Sequence, residues 1–129
     1  MKALLALSAL ALLAAPVDAQ DEPDREAELA GVLESWQPSG PPERCLNVRR
    51  ANVLRVINRT AIVYRLGGQL YVNWPVGGGE YLDRRDSLVS RRGGSLLCAG
   101  DMLELTDPYS GIVRLVTVGS FEPYFRTGG

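Results

Sequence analysis

The segment from Thr60 to Trp74 constrains the fold more than any other part of this 129-residue chain. Two runs of β-branched and aromatic residues flank Gly67-Gly68, a pair typical of two-residue hairpin turns. With these glycines at the tip, the predicted cross-strand pairs are Tyr64 with Tyr71, Val63 with Val72 and Arg65 with Leu70. Because apolar residues occupy both faces of the hairpin, the pattern favours a small barrel or sandwich over a sheet with one solvated face.

The rest of the chain from Cys45 onward also has the pattern of strands. The predicted strands span residues 47–57, 60–66, 69–74, 96–98, 102–106 and 112–118. Asn58-Arg59 and residues 107–111 are predicted turns, and residues 75–79 a loop. Residues 81–90 fit either a short helix or a loop. The sequence therefore predicts a mainly β domain over residues 44–126, an antiparallel barrel or sandwich of five or six strands.

The first 19 residues have the features of a secretory signal peptide. Lys2 gives a positively charged start, residues 3–15 are apolar, and Val17-Asp18-Ala19 places small residues where a signal peptidase cleaves. The apolar run is shorter than the roughly 20 residues that span a bilayer, which favours cleavage before Gln20 over a retained membrane anchor. We therefore expect a periplasmic or secreted protein with no transmembrane segment after cleavage.

An acidic arm, residues 20–43, is predicted to precede the β domain. Its net charge is −6, whereas residues 44–129 carry a net charge of +5. Leu29, Val32, Leu33 and Trp36 recur at helical spacing, which predicts a short helix over residues 25–36 followed by a proline-rich linker. The sequence leaves open whether this arm packs on the β domain.

Cys45 and Cys98 are the only two cysteines. In a small exported chain such a pair predicts a structural disulfide, and a redox-active pair is disfavoured because the Cys-x-x-Cys spacing is missing. We expect Cα atoms about 4.4–6.8 Å apart. Closing a loop of 53 residues restricts the unfolded chain by roughly 4 kcal/mol.

Composition excludes whole classes of mechanism. The chain has no histidine, and its one lysine, Lys2, lies in the predicted signal peptide. Ser-His-Asp and Cys-His constellations, Schiff-base lysines, phosphate-loop lysines and zinc sites with histidine ligands are therefore excluded. Only carboxylate chemistry remains open, and no metal or cofactor is predicted.

Aromatic and basic residues suggest a candidate binding surface. Tyr64, Tyr71 and Trp74 are of the type that stacks sugars or bases, with Arg49 and Arg65 as basic neighbours. Packing of these aromatic residues in the core is the alternative, and it is favoured. The arginines of the β domain are interpreted as solvated strand residues, so there is no strong signal for nucleic acid.

A second group of candidates is acidic. Glu80, Asp83 and Asp86 are close enough in sequence to supply a carboxylate pair for glycoside hydrolysis or a calcium site. The interleaved Arg84 and Arg85, and the lack of a calcium-loop spacing, favour a solvated charged loop instead. Asp101, after Gly100, is interpreted as a turn residue.

Several short runs of the β domain resemble one family. The runs are Cys45-Leu46-Asn47-Val48-Arg49, the hairpin entry at residues 55–66, Gly67-Gly68-Gln69-Leu70-Tyr71-Val72-Asn73-Trp74-Pro75, Leu97-Cys98-Ala99-Gly100-Asp101 and Gly119-Ser120-Phe121-Glu122-Pro123. Over about residues 44–124 the chain is similar to the small exported bacterial proteins of domain-of-unknown-function family 6491. The resemblance implies an exported β-rich domain and supplies no activity.

Two functional hypotheses follow from the sequence. The first is a non-catalytic exported module that binds an envelope component or a partner protein through its β surface. The alternative is a small carboxylate-dependent enzyme acting on glycans, with Asp83, Asp86 or Glu104 as its acids.

Overall fold

The structure of the chain is a computed structural model that describes residues 17–91 and 93–127. Most of the predicted signal peptide, residues 1–16, lies outside these described residues. Within them the chain is mainly β, as predicted, with one α-helix, α1 (Val17–Val32), and a 3-10 turn at Gly79–Tyr81. The strands are β1 (Trp36–Pro38), β2 (Cys45–Asn47), β3 (Asn52–Ile57), β4 (Ala61–Leu66), β5 (Gln69–Asn73), β6 (Ser87–Ser90), β7 (Leu96–Cys98), β8 (Met102–Thr106), β9 (Val113–Thr117) and β10 (Phe121–Arg126).

Five strands form the main antiparallel sheet, in the order β1-β10-β5-β4-β3. Its β4–β5 hairpin turns at Gly67, whose φ of +58° lies in the left-handed region that glycine adopts without strain. The cross-strand pairs are Tyr64 with Tyr71, Val63 with Val72 and Arg65 with Leu70. The predicted hairpin and its register are confirmed.

The remaining strands form a two-stranded sheet, β2-β7, and a three-stranded sheet, β6-β8-β9. Among the described residues the sheets are open, so the structure does not form the closed barrel that was one of the two predicted architectures. The architecture is instead a stack of open sheets. The predicted turn at residues 107–111 joins β8 to β9, where Gly111 donates its N–H to the carbonyl of Asp107 at 2.9 Å.

The strand count differs from the predicted five or six. The sequence pattern does not predict β1, β6 and β10, which are an edge strand, a strand in the segment left open, and a strand after the last predicted one. The predicted strand over residues 47–57 is interrupted: β2 ends at Asn47 and β3 begins at Asn52, because Asn47 stabilises a turn between them. Its side-chain oxygen accepts the N–H of Arg49 at 3.1 Å and that of Arg50 at 3.3 Å.

The main sheet is buried on both faces, which explains the apolar residues on both sides of the hairpin. Ala61, Val63, Leu70 and Val72 belong to the cluster that contacts α1. Residues with the opposite parity, such as Ile62 and Tyr64, belong to the cluster shared with the two smaller sheets, together with Leu97, Leu103, Leu105 and Val116. The fold is therefore layered as helix, main sheet and smaller sheets.

The acidic arm packs on the β domain, and its helix differs from the prediction. α1 begins at Val17 and ends at Val32, whereas the expected helix ran from residue 25 to residue 36. Trp36 lies in β1 and pairs with Arg126 of β10, because the edge of the main sheet offers it backbone partners. The predicted apolar face is nevertheless present: Leu29 is buried in the cluster of the main sheet, with Val32, Leu33 and Trp36 packed against it.

The predicted disulfide joins Cys45 of β2 to Cys98 of β7, which are direct cross-strand partners. Their Cα atoms are 4.0 Å apart, slightly closer than expected. The hydrogen bond from the N–H of Ala99 to the carbonyl of Arg44 makes the cysteines a non-hydrogen-bonded pair, the kind in which side chains approach most closely. The N–H of Cys98 is donated instead to Asp101 Oδ2 at 2.8 Å, which gives Asp101 a structural role in the turn.

Candidate functional site

The predicted aromatic residues do not share one surface. Tyr64 and Tyr71 are 4% and 5% exposed, and both belong to the core between the sheets. The Tyr64 ring lies 5.8 Å from that of Phe121 in a T-shaped arrangement, and the Tyr71 hydroxyl donates to Gln69 Oε1 at 2.7 Å. Trp74, just after β5, is 42% exposed. Of the three aromatic candidates, only Trp74 therefore presents a large face to solvent.

The two basic candidates lie away from Trp74. Arg49 is exposed in the turn between β2 and β3. Arg65 is exposed on β4 near the hairpin tip, whereas Trp74 follows the other end of β5. The structure therefore does not bring the sequence-predicted surface together as one site.

Trp74 instead lines an open groove between α1 and the turn that joins β3 to β4. This α1 groove encloses about 530 Å³, within the range of small-molecule sites. Its lining residues are Glu22, Arg25, Glu26, Leu29, Ala30, Leu33, Arg59, Thr60 and Trp74. The groove thus combines an apolar wall from the helix and the indole with two arginines and two glutamates.

Apolar packing and ion pairs both hold the wall of the α1 groove in place. Leu29 packs on the main sheet, while Glu28 Oε1 lies 3.4 Å from Arg55 Nη1 and 3.8 Å from Arg84 Nη1. The other wall is a turn in which Arg59 has a φ of +59° and donates its N–H to the carbonyl of Leu82 at 2.9 Å. Helix and turn are therefore both anchored to the β domain.

Two polar features prepare the α1 groove for a ligand. Trp74 Nε1 donates to Glu122 Oε2 at 3.1 Å, which fixes the orientation of the indole plane. Arg25 Nε is buried and has no hydrogen-bond partner among the described residues. A shielded guanidinium N–H beside an oriented indole suits a ligand with an acceptor oxygen and a flat apolar face.

Sequence reasoning singled out Trp74 but missed Arg25, Leu33 and Arg59 as parts of one site. These residues converge only because α1 packs across the main sheet. The available signal was the helical spacing of Leu29 and Leu33, which identifies the helix face that packs on the rest of the protein. This spacing does not identify the turn that lies next to that face.

The acidic candidates are separated by the fold. Asp83 and Asp86 line a polar depression of about 150 Å³ with Asp107, Arg85, Ile112 and Arg114. Glu80 is exposed in the 3-10 turn, and Glu104 of β8 lies 3.3 Å from Arg91 Nε in an ion pair. Asp83 and Asp86 are therefore the only two of the four sequence-predicted acids that line this depression.

The acids of this depression differ in their environments. Hydrogen bonds from Arg85 lower the pKa of Asp83, whose Oδ2 lies 3.0 Å from Arg85 Nη2. The N–H groups of Tyr109 and Ser110 lower the pKa of Asp107. Burial, with the nearby charges of Asp83 and Asp107, raises the pKa of Asp86. Since an ion pair and a turn already engage Asp83 and Asp107, Asp86 alone is left for acid–base chemistry.

No group of three or more acidic, cysteine or histidine side chains in the described part of the chain is arranged to hold a metal ion. The same residues contain no helix that is long and apolar enough to cross a membrane. Comparison with protein-family models, with curated proteins and with solved structures finds no match for this chain.

Proposed function

We propose that this chain is an exported, non-catalytic β domain that binds a component of the bacterial cell envelope in the α1 groove. The observation that carries the proposal is the groove itself, in which the exposed face of Trp74 lies beside the apolar side of α1 and the buried, unpartnered Nε of Arg25. A mostly apolar groove with a few convergent polar groups is the usual form of a ligand site.

Two observations support export. The N-terminal segment has the features of a signal peptide, and disulfides such as Cys45–Cys98 persist in oxidising compartments. The resemblance to family 6491 remains a prediction consistent with this proposal.

A binding role is favoured over the carboxylate-dependent enzyme. Glycosidases use two carboxyl groups on either side of the scissile bond. In this chain Asp83 is engaged by Arg85, Glu104 by Arg91, and Asp107 by its own turn. That leaves Asp86 without a second available acid in the same depression.

Tryptophan fluorescence of the mature chain tests the proposal. Peptidoglycan fragments, lipopolysaccharide and phosphatidylglycerol vesicles are titrated separately, and one of them should change the tryptophan emission with a saturable dependence. The Trp74→Ala variant, which keeps Trp36, should lose that change. Trp74→Ala and Arg25→Gln should each weaken that binding, measured by calorimetry, at least fivefold, whereas Tyr109→Ala should not. Tyr109 is a matched control because it is aromatic, 92% exposed and lies in the β8–β9 turn.

Two results would contradict this binding role. One is that none of the three envelope components binds, or that binding is the same in both groove variants as in the unmodified chain. The other is turnover of a cell-wall glycan that is lost in Asp86→Asn, which would establish the enzyme in its place.

Export is tested separately, by mass spectrometry of the protein expressed with its leader in a Gram-negative host. We expect a periplasmic chain that begins at Gln20. A chain with Met1 intact in the membrane fraction would refute the export part of the proposal.

A further inference from the structure

A third cavity lies between an edge of the main sheet and an edge of the three-stranded sheet. β3 and β6 are the outermost strands of these two sheets, and Val53 of β3 and Ser90 of β6 both line a cleft of about 220 Å³. We call it the seam cleft. Its other lining residues are Val48, Ala51, Tyr64, Leu88, Leu97 and Leu103.

Two hydroxyl groups interrupt this apolar lining. Ser90 Oγ is buried and has no hydrogen-bond partner among the described residues. Tyr64 is 4% exposed, and its ring contacts that of Phe121. Burial raises the pKa of Tyr64, so the hydroxyl stays protonated and able to donate. A buried hydroxyl without a partner, as at Ser90, is unusual in proteins and calls for a specific explanation.

The charge beside the seam cleft is positive. Arg49 and Arg50 lie in the turn between two lining residues, Val48 and Ala51, and both arginines are exposed. Arg91 follows the lining residue Ser90 and is paired with Glu104. Because Arg49 and Arg50 form no ion pair within the described residues, this turn favours a ligand that carries a negative charge.

We propose that the seam cleft binds one medium-chain fatty acid. The acyl chain packs against Leu97, Leu103 and Leu88, and its carboxyl oxygens accept hydrogen bonds from the hydroxyls of Tyr64 and Ser90. Arg49 and Arg50 attract the carboxylate to the cleft. Cavities of about 150 Å³ hold a benzene ring, so a cleft of this size takes a single acyl chain and not the two chains of a membrane lipid.

Titration of the mature chain with decanoate, followed by amide chemical shifts and calorimetry, tests this site. Decanoate should bind saturably and shift the amides of Ser90 and Leu103. Tyr64→Phe and Ser90→Ala should each weaken binding roughly fivefold or more, the loss expected for one hydrogen bond. Tyr124→Phe is the matched control, since that hydroxyl lies on the α1 side of the main sheet.

Further arms separate the chemistry of the ligand from its size. Decanol should bind more weakly than decanoate. The double variant Arg49→Gln, Arg50→Gln should reduce this difference in affinity between the two ligands. Ala51→Leu fills the cleft, so it should abolish decanoate binding in a folded protein. Trp74→Ala should leave decanoate binding unchanged, which makes this site independent of the α1 groove.

Three results would overturn the fatty-acid site. They are the absence of saturable decanoate binding, binding unaffected in a folded Ala51→Leu variant, and shifts at β3 and β6 produced only by phosphatidylglycerol vesicles or by an extended apolar peptide.

Discussion

At the scale of single residues, Asn73 and Gly119 hold together the part of the fold that carries Trp74. Asn73 is fully buried on β5, and its Nδ2 donates to the carbonyl of Gly119 at 2.8 Å. The N–H of Gly119 donates in return to Asn73 Oδ1 at 3.0 Å. The Asn73 side chain thus satisfies both backbone groups of Gly119, which lies two residues before β10, and it fixes the chain just before Trp74.

Gly119 is required here by the close approach of two backbone segments. A Cβ atom at this position would lie 2.3 Å from the carbonyl oxygen of Trp74. We expect Gly119→Ala to lower the free energy of unfolding by about 1–3 kcal/mol in urea denaturation, because backbone must shift to admit the methyl group. Gly68→Ala is the control, since a Cβ there has no atom within 4 Å. Equal losses in the two variants would refute this account.

At the scale of elements, α1 is held by two kinds of interaction of unequal strength. Leu29 is 7% exposed in the cluster of the main sheet, whereas the guanidinium groups that contact Glu28 belong to side chains 50% and 63% exposed. Exposed ion pairs contribute little because water and salt screen them. Apolar packing therefore provides most of the docking energy.

This difference predicts the outcome of two substitutions. Leu29→Ala should lower the free energy of unfolding by about 2 kcal/mol or more, and Glu28→Gln by less than about 1 kcal/mol. Chemical denaturation followed by circular dichroism measures both. A larger effect of Glu28→Gln would show that charge, and not packing, docks the arm.

The β8–β9 turn predicts a pH dependence. Asp107 Oδ1 accepts the N–H of Tyr109 at 2.8 Å and that of Ser110 at 3.3 Å, which lowers its pKa below the ordinary 3.8. The stabilisation is present above the unfolded pKa and is lost as the pH falls through the lower folded pKa. Asp107→Asn keeps the acceptor and does not titrate, so its thermal midpoint should fall less on acidification.

Asp86 should behave in the opposite sense. Burial raises its pKa, so ionisation disfavours the folded state at neutral pH. Asp86→Asn should therefore raise the thermal midpoint at neutral pH. A lowered midpoint in that variant, or an unchanged acid profile in Asp107→Asn, would contradict these assignments.

At the scale of the whole molecule, the disulfide connects segments that are far apart in sequence. Cys45 and Cys98 are separated by 53 residues, and their short β2-β7 sheet packs through Leu46 and Leu97 into the core beneath the main sheet. A small domain buries a limited fraction of its surface, so such a covalent link is a large part of its stability.

Reduction should therefore lower the free energy of unfolding by about 2–5 kcal/mol, seen as a marked fall in the thermal midpoint. The double variant Cys45→Ser, Cys98→Ser should melt at the midpoint of the reduced protein and should not respond to reductant. Labelling of both cysteines as thiols in protein purified without reductant would refute the bridge.

The candidate site was predictable only in part. The exposed Trp74 was among the aromatic residues that the sequence singled out, but Tyr64 and Tyr71 share its chemistry and are buried. Residue type does not distinguish them, because a tyrosine on a strand suits a core and a binding surface equally well. The partner that buries each face of the strand decides between the two.

Local sequence was enough to predict the β4–β5 hairpin with its register, the apolar face of the arm and the Cys45–Cys98 disulfide. The first two depend on turn chemistry and on near neighbours along the chain, and two cysteines can form only one pair. The open sheets, the edge that Trp36 and β10 form on the main sheet, and the groove between α1 and the β3–β4 turn were visible only in the folded structure. Such features arise from contacts between segments distant in sequence, and local patterns of hydrophobicity do not specify which distant surfaces meet.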